Sequence, residues 1–179
     1  GFDKGGRGLS HLDYLKHIPL AERNGRSLMQ ITEEEYLENK AKACQTNLAF
    51  RRGNDFYHHY KEDIRLFGEM GFKTFRMSIA WSRLFPTGME KEPVKEGVEF
   101  YHQIFRECHK YNIEPLVTMS HYEPPLNLVL NYDGWYSREV IGFFEKYVRT
   151  ICERYKHKVK YWLTFNEVDS IIRHPYTTG

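Results

Sequence analysis

The sequence lacks the features of a membrane protein, a nucleic-acid binder or a disulfide-bonded fold. No apolar run approaches the roughly 18 residues that a membrane span requires. The 26 basic and 24 acidic residues leave a formal net charge of +2, which favours neither a nucleic-acid surface nor an acidic tail. Cys44, Cys108 and Cys152 are odd in number and lack zinc-site spacing. Reduced thiols are typical of the cytoplasm, so we expect a cytoplasmic protein with no nucleic-acid or membrane partner.

Sequence patterns for a cofactor, a metal ion and a secretory leader are also absent. No Gly-x-Gly-x-x-Gly follows a predicted strand, which disfavours a nicotinamide-dependent oxidoreductase. None of the nine histidines has a metal-ligand partner at convincing spacing. Residues 1–6 are typical of a loop within a chain rather than of a signal peptide. We therefore expect no cofactor, no metal ion, and a true start upstream of Gly1.

The distribution of apolar residues divides the chain near residue 53. Residues 1–53 are rich in glycine, charge and turn residues, so we expect a long loop region with short helical pieces, one of them starting near Thr32. In residues 54–179, three apolar patterns with helical spacing each precede a short aromatic or β-branched run. These runs predict strands over 72–81, 116–120 and 159–165.

Strands that alternate with helices predict βαβ units and a parallel α/β sheet. The strands recur about 45 residues apart, against about 30 for each unit of a minimal eight-fold barrel. The additional residues follow the strands, over 82–93 and 121–137, where (β/α)8 barrels build active sites. Periodicity alone leaves both a barrel and a doubly wound sheet open.

Polar side chains gather where the predicted strands end. Arg76 lies inside an apolar strand, His121 ends the second strand, and Asn166 and Glu167 end the third. Parallel strands open on one face, so these four groups should converge. Each has a structural alternative: Glu167 as a solvated loop residue, Arg76 in a buried ion pair, and His121 as a hydrogen-bonded core residue.

Four strings, in order along the chain, resemble family 1 of the glycoside hydrolases. Residues 55–64 resemble its first barrel helix and residues 75–83 its second strand. Residues 120–125 are similar to its third strand end, where many members have His-Trp-Asp. Residues 161–167 match its fourth strand, including Thr-Phe-Asn-Glu. The resemblance implies that residues 1–179 are the amino-terminal part of one (β/α)8 catalytic domain, with strands 2 to 4 and their helices.

The resemblance also implies a role for each polar residue. Glu167 matches the general acid/base, and Asn166 the amide that holds the sugar 2-hydroxyl. His121 matches a histidine that hydrogen-bonds the sugar ring, and Arg76 the arginine that supports the nucleophilic carboxylate. In a retaining glycosidase the acid protonates the leaving oxygen while a second carboxylate, about 5 Å away, attacks the anomeric carbon.

The family's nucleophile is missing from this chain. It belongs to a Glu-Asn-Gly motif near the seventh strand, and Glu38-Asn39-Lys40 in the early loop does not qualify. The first strand, with a sugar-binding glutamine, should precede Gly1. A complete barrel needs about 250 residues. We therefore expect a part of a longer protein that turns over no glycoside alone and self-associates through unpaired sheet edges.

The substrate class follows from three further strings that look like bacterial 6-phospho-β-glucosidases, over residues 1–10, 120–123 and 169–175. Tyr122 also stands where ordinary β-glucosidases usually have tryptophan. The resemblance implies a β-glucoside or its 6-phosphate as the small-molecule partner. Two alternatives stay open: a plain β-glucosidase or β-galactosidase, and a non-catalytic half-barrel that binds carbohydrate.

Overall fold

Three parallel strands form the centre of the computed structural model, which describes residues 1–25, 31–42 and 47–173. The strands lie in the order β1-β2-β3. They are β1 (Thr74–Ser78), β2 (Glu114–Ser120) and β3 (Tyr161–Phe165). The helices are α1 (Glu33–Ala41), α2 (Ala49–Arg52), α3 (Phe56–Glu69), α4 (Trp81–Leu84), α5 (Lys95–Lys110), α6 (Leu126–Tyr132), α7 (Glu139–Tyr155) and α8 (Ser170–Arg173). Short 3-10 helices cover His11–Tyr14, Leu20–Glu22 and Gly134–Tyr136.

The sheet has the parallel βαβ architecture that the sequence predicts. Helix α5 connects β1 to β2, and α7 connects β2 to β3. The register aligns Arg76 with Leu116, and Ser120 with Phe165. Within the described residues, β1 and β3 each pair with β2 alone, so the sheet does not close into a ring. The expected self-association through these edges stays a prediction.

Two helix ends follow from local sequence. Thr32 caps α1, because its hydroxyl accepts from the Glu35 amide at 3.2 Å while the Glu35 carboxylate accepts from the Thr32 amide at 2.8 Å. Gly71 follows the end of α3 with a φ of 84°, a left-handed conformation that glycine adopts without strain. The helix start near Thr32 was predicted from the sequence.

The first predicted strand is too long by several residues. The sequence pattern spans 72–81, whereas β1 covers Thr74–Ser78 and Trp81 begins a helical turn. A short apolar run does not distinguish a strand from buried helix. Ile79 and Trp81 are buried beside the helices, which satisfies their apolar side chains outside the sheet.

The hydrophobic core lies between one face of the sheet and the helices α3, α5 and α7. Trp81 stacks on Tyr147 with ring centroids 5.4 Å apart, and Trp162 packs at the core margin, so both tryptophans are packing residues. Cys108 is buried and Cys152 is half-buried. Cys44 lies outside the described residues. No described helix combines the length and the apolar character that crossing a membrane requires.

The opposite face of the sheet is left open by the helices. Side chains alternate along a strand, so Phe75 and Met77 reach the core while Arg76 is exposed. On β3, Tyr161 is 58% exposed and Leu163 is 37% exposed. This open face carries the polar groups at the strand ends.

The amino-terminal segment contacts the loop that follows β2. Arg7 and Asp13 form an ion pair of 2.9 Å between largely buried side chains. Ser10 makes an isolated bridge with Pro125. The Leu126 amide donates to the Leu9 carbonyl at 2.8 Å. The boundary near residue 53 stays a prediction, but this segment braces the loop after β2.

Candidate active site

The carboxyl ends of the three strands bring together the predicted site residues. Arg76 comes from β1, while Asn166 and Glu167 follow β3 directly. The Arg76 Nη2 donates to Asn166 Oδ1 at 2.6 Å, and its Nε donates to Thr118 Oγ1 at 3.4 Å. Among the described residues, no carboxylate forms an ion pair with Arg76, so the alternative of a buried ion pair does not hold there. The predicted convergence of these residues is observed; their catalytic roles stay predictions.

Tyr122 links Asn166 to Glu167, a contact that the sequence pattern did not reveal. The Asn166 Nδ2 donates to the Tyr122 hydroxyl oxygen at 2.7 Å. The Tyr122 hydroxyl donates to Glu167 Oε2. Burial raises the pKa of Tyr122, and the hydrogen bond to Glu167 raises it further. The hydroxyl therefore keeps its proton near neutral pH and remains a donor. Its position next to His121, where the sequence departs from the usual tryptophan, is the feature that could have identified it.

Two of these linked residues have an uncommon backbone conformation. Tyr122 has a φ of 67° and Glu167 a φ of 42°. Left-handed φ values are uncommon for residues other than glycine and concentrate at functional sites. Both residues stand just beyond a strand, where the chain turns away from the sheet. The turn directs both side chains to the same point above the strand ends.

His121 is half-buried beside the site. Its ring lies 5.2 Å from that of Tyr122 in an edge-on arrangement. Burial lowers the pKa of His121, the Arg76 guanidinium lowers it further, and Glu167 opposes the shift. The imidazole is therefore neutral near pH 7 and offers one donor and one acceptor nitrogen. Within the described part of the chain, neither nitrogen forms a hydrogen bond, so both are available to a hydroxylated ligand.

Glu167 is exposed at the mouth of the site, yet its carboxylate is engaged. Tyr122 binds one of its oxygens, and the Ser170 amide donates to the Glu167 carbonyl at 2.8 Å. Asn166 is itself held by Arg76, so the carboxylate is fixed relative to the sheet. An arrangement of this kind differs from a freely solvated loop residue, the structural alternative for Glu167.

A second carboxyl group, that of Glu123, directly follows Tyr122 in the loop after β2. Ser78 Oγ donates to Glu123 Oε1 at 3.3 Å. Burial raises the pKa of Glu123 from the ordinary 4.5 to about 7, and the negative charge of Asp13 raises it further. The positive charges of Arg7 and Arg83 and the hydrogen bond from Ser78 oppose this rise. The hydrogen bond from Ser78 therefore ties the loop after β2 to β1, and Glu123 interacts electrostatically with Arg7 and Asp13 of the amino-terminal segment.

The raised pKa of Glu123 predicts a pH-dependent stability. The protonated form is favoured in the fold, so its contribution is complete below about pH 4.5 and is lost as the pH rises through about 7. In the full-length protein that contains this chain, Glu123→Gln should gain about 1–2 kcal/mol of unfolding free energy relative to the wild type between about pH 5 and about pH 8. The figure is reduced because water partly screens the half-buried group. Denaturant unfolding at both pH values measures it.

The matched control for Glu123 is Glu145→Gln, on the exposed surface of α7. This variant should follow the wild-type pH dependence. A Glu123→Gln variant whose stability changes with pH as the wild type's does would contradict the assignment.

A parallel βαβ sheet with polar groups gathered at its strand carboxyl ends is typical of parallel α/β enzymes, among them the (β/α)8 barrels. Comparison with known proteins agrees with the geometry. The chain belongs to glycosyl hydrolase family 1, which it matches over residues 1–179. The fold is therefore three βα units of the (β/α)8 barrel, as the sequence predicts.

Its relatives include proteins named as phospho-glucosidases. A 6-phospho-β-glucosidase of Clostridium longisporum is 64% identical over 71% of this chain and 27% of that protein. The 6-phospho-β-glucosidase AscB of Escherichia coli is 42% identical over 98% of this chain and 35% of that protein. The rice β-glucosidase Os3BGlu6 superposes with a TM-score of 0.74 at 28% identity, covering 95% of this chain and 31% of that structure. The chain thus spans about a third or less of these proteins.

Proposed function

We propose that this chain is part of a retaining β-glycosidase that hydrolyses 6-phospho-β-glucosides in the bacterial cytoplasm. The observation that carries the proposal is the hydrogen-bonded series from Arg76 through Asn166 and Tyr122 to Glu167. It supplies a positioned carboxyl group, an amide and a fixed cation at one point above the strand ends. Family membership supports the reaction class, and the names of the relatives support the phosphorylated sugar.

Glu167 serves as general acid and then as general base. As an acid it gives its proton to the glycosidic oxygen, so that the aglycone leaves as a neutral alcohol. A second carboxylate, supplied by a part of the protein outside this chain, attacks the anomeric carbon and forms the glycosyl-enzyme. Glu167, now ionised, removes a proton from the water that attacks this intermediate. Hydrolysis then releases the sugar with retained configuration.

The neighbouring groups bind and orient the sugar. The Asn166 amide hydrogen-bonds the 2-hydroxyl, a contact that strengthens as positive charge develops on the ring. The neutral His121 imidazole has free donor and acceptor positions for ring hydroxyls. Arg76 holds Asn166 in place, and its fixed positive charge favours the ionised form of the nucleophile.

Substrate preference tests the proposal. The full-length protein should hydrolyse 4-nitrophenyl β-glucoside 6-phosphate with a kcat/KM at least about 100-fold above that for the unphosphorylated glucoside, since a site built to bind a polar group discriminates strongly against its absence. Initial-rate assays of both substrates measure the ratio. Glu167→Gln protein, prepared in parallel, gives the background rate.

A preference for the unphosphorylated substrate would support the plain β-glucosidase alternative instead, which the similarity to the rice β-glucosidase favours. An in-frame Glu-Asn-Gly downstream of residue 179 would support an enzyme over a non-catalytic carbohydrate-binding module. The prediction that residues 1–179 alone are inactive stays open to a single-turnover assay of the purified chain.

A further inference from the structure

The Tyr122 hydroxyl lies between the two residues that carry the proposed chemistry. We propose that Tyr122 is a positioning residue for Glu167, whose carboxylate it holds in the orientation that exchanges a proton with the glycosidic oxygen. The inference rests on the proposed function and adds a residue to it. Asn166 and Glu167 both hydrogen-bond this one oxygen.

The direction of every hydrogen bond in the series follows from Arg76. A guanidinium can only donate, so the Asn166 side-chain oxygen must face Arg76 at 2.6 Å. The Asn166 nitrogen is then left to donate to the Tyr122 oxygen at 2.7 Å. With that lone pair occupied, the Tyr122 proton points to Glu167. The order of donors and acceptors therefore fixes Tyr122 as a donor to the carboxylate.

Tyr122 holds Glu167 without help from other described side chains. In the ranges that the structure describes, no second side chain hydrogen-bonds this carboxylate, and the residue is otherwise exposed. A glutamate with no such partner samples several rotamers. Proton transfer requires a defined distance to the leaving oxygen, and misplacement is costly in rate. The Tyr122 hydroxyl therefore restricts the carboxylate to one geometry.

If Tyr122 had only a structural role, a different result would be expected. Its ring packs on a small cluster of Leu12, Leu15 and Ile31 and lies edge-on to His121. Phenylalanine retains this packing and lacks only the hydroxyl. If packing were the whole role of Tyr122, Tyr122→Phe would leave both kcat and KM unchanged.

The test compares kcat and KM of the full-length wild type, Tyr122→Phe and Tyr136→Phe. The control ring, that of Tyr136, is 93% exposed. The substrate is whichever of the two 4-nitrophenyl glucosides the wild type hydrolyses faster. For Tyr122→Phe, kcat should fall about tenfold while KM stays within about twofold of the wild-type value, because a misplaced carboxylate slows proton exchange without removing a contact to the sugar. Tyr136→Phe should retain both wild-type values.

Replacement of Tyr122 by 3-fluorotyrosine provides a second test, because it changes the ring but preserves the hydroxyl donor. The fluorotyrosine protein should keep kcat within about twofold of the wild-type value. A loss of kcat in this protein of about tenfold overturns the proposal, even if Tyr122→Phe fails to fold.

Failure of the proposed function has a separate outcome in the same experiment. A wild-type protein that hydrolyses neither glucoside overturns the glycosidase assignment and the role of Tyr122 with it. An active wild type whose kcat and KM equal those of Tyr122→Phe overturns the role of Tyr122 alone.

Discussion

Glu167→Ala in the full-length protein should lower kcat for a β-glucoside with a poorly acidic leaving group by about 10²–10⁴-fold, because the leaving oxygen then departs without a proton. A 2,4-dinitrophenyl substrate needs no such proton, so the formation of the glycosyl-enzyme should be far less affected. Steady-state and burst-phase kinetics with both substrates measure the difference. The proposed role of Glu167 as both acid and base requires this dependence on the leaving group.

Azide supplies a further readout for the same Glu167→Ala variant. The anion attacks the glycosyl-enzyme without a general base, so it should restore turnover of the dinitrophenyl substrate and yield a β-glycosyl azide. Glu145→Ala, at an exposed position on α7, serves as the control and should keep wild-type kinetics. Equal losses with both substrates and no rescue by azide would assign Glu167 a structural role.

Arg76→Ala should lower kcat/KM by about 100-fold, an effect typical of a displaced catalytic group. The substitution removes the donor that fixes the Asn166 amide, and with it the order of hydrogen bonds through Tyr122 to Glu167. It also removes the positive charge proposed to support the nucleophile. Initial-rate measurements at several pH values determine both the loss and the shape of the profile.

Arg76→Lys separates charge from geometry. Lysine keeps the charge but cannot reach Asn166 and Thr118 with the spacing of a guanidinium. Arg76→Lys should therefore recover only part of the kcat/KM that Arg76→Ala loses. The matched surface control is Arg149→Ala, which removes a pair with Glu145 on the exposed side of α7. If Arg76→Ala and Arg149→Ala behaved alike, Arg76 would have no part in the site.

The sequence predicts the three βα units because each has a strong local pattern. The helical spacing of Tyr101, Ile104, Phe105 and Cys108 places all four in the core. Strand ends are less predictable, since they depend on pairing partners. Pro115 illustrates the difference: β2 begins one residue before it, and pairing with β3 starts only at Leu116, so the missing amide costs no bond to β3.

The sequence predicts which residues form the site but not the hydrogen bonds between them. Parallel topology is enough to bring Arg76, His121, Asn166 and Glu167 to one edge of the sheet. The bonds through Tyr122 depend on left-handed conformations at residues 122 and 167, which no local pattern in the sequence indicates. Glu123 was missed for a related reason, because its raised pKa arises from burial in the folded chain, which no local pattern indicates.

The bridge between Ser10 and Pro125 has a consequence for the order of folding. Along the sequence, helices α1 to α5 and strands β1 and β2 lie between these two residues, so closing this contact costs more loop entropy than pairing neighbouring strands. The βαβ units have partners nearer in sequence and should form earlier. In a nascent chain the sheet would then form first and the loop after β2 would become ordered last. Proteolysis during synthesis should therefore still cleave residues 121–125 when the sheet is already protected.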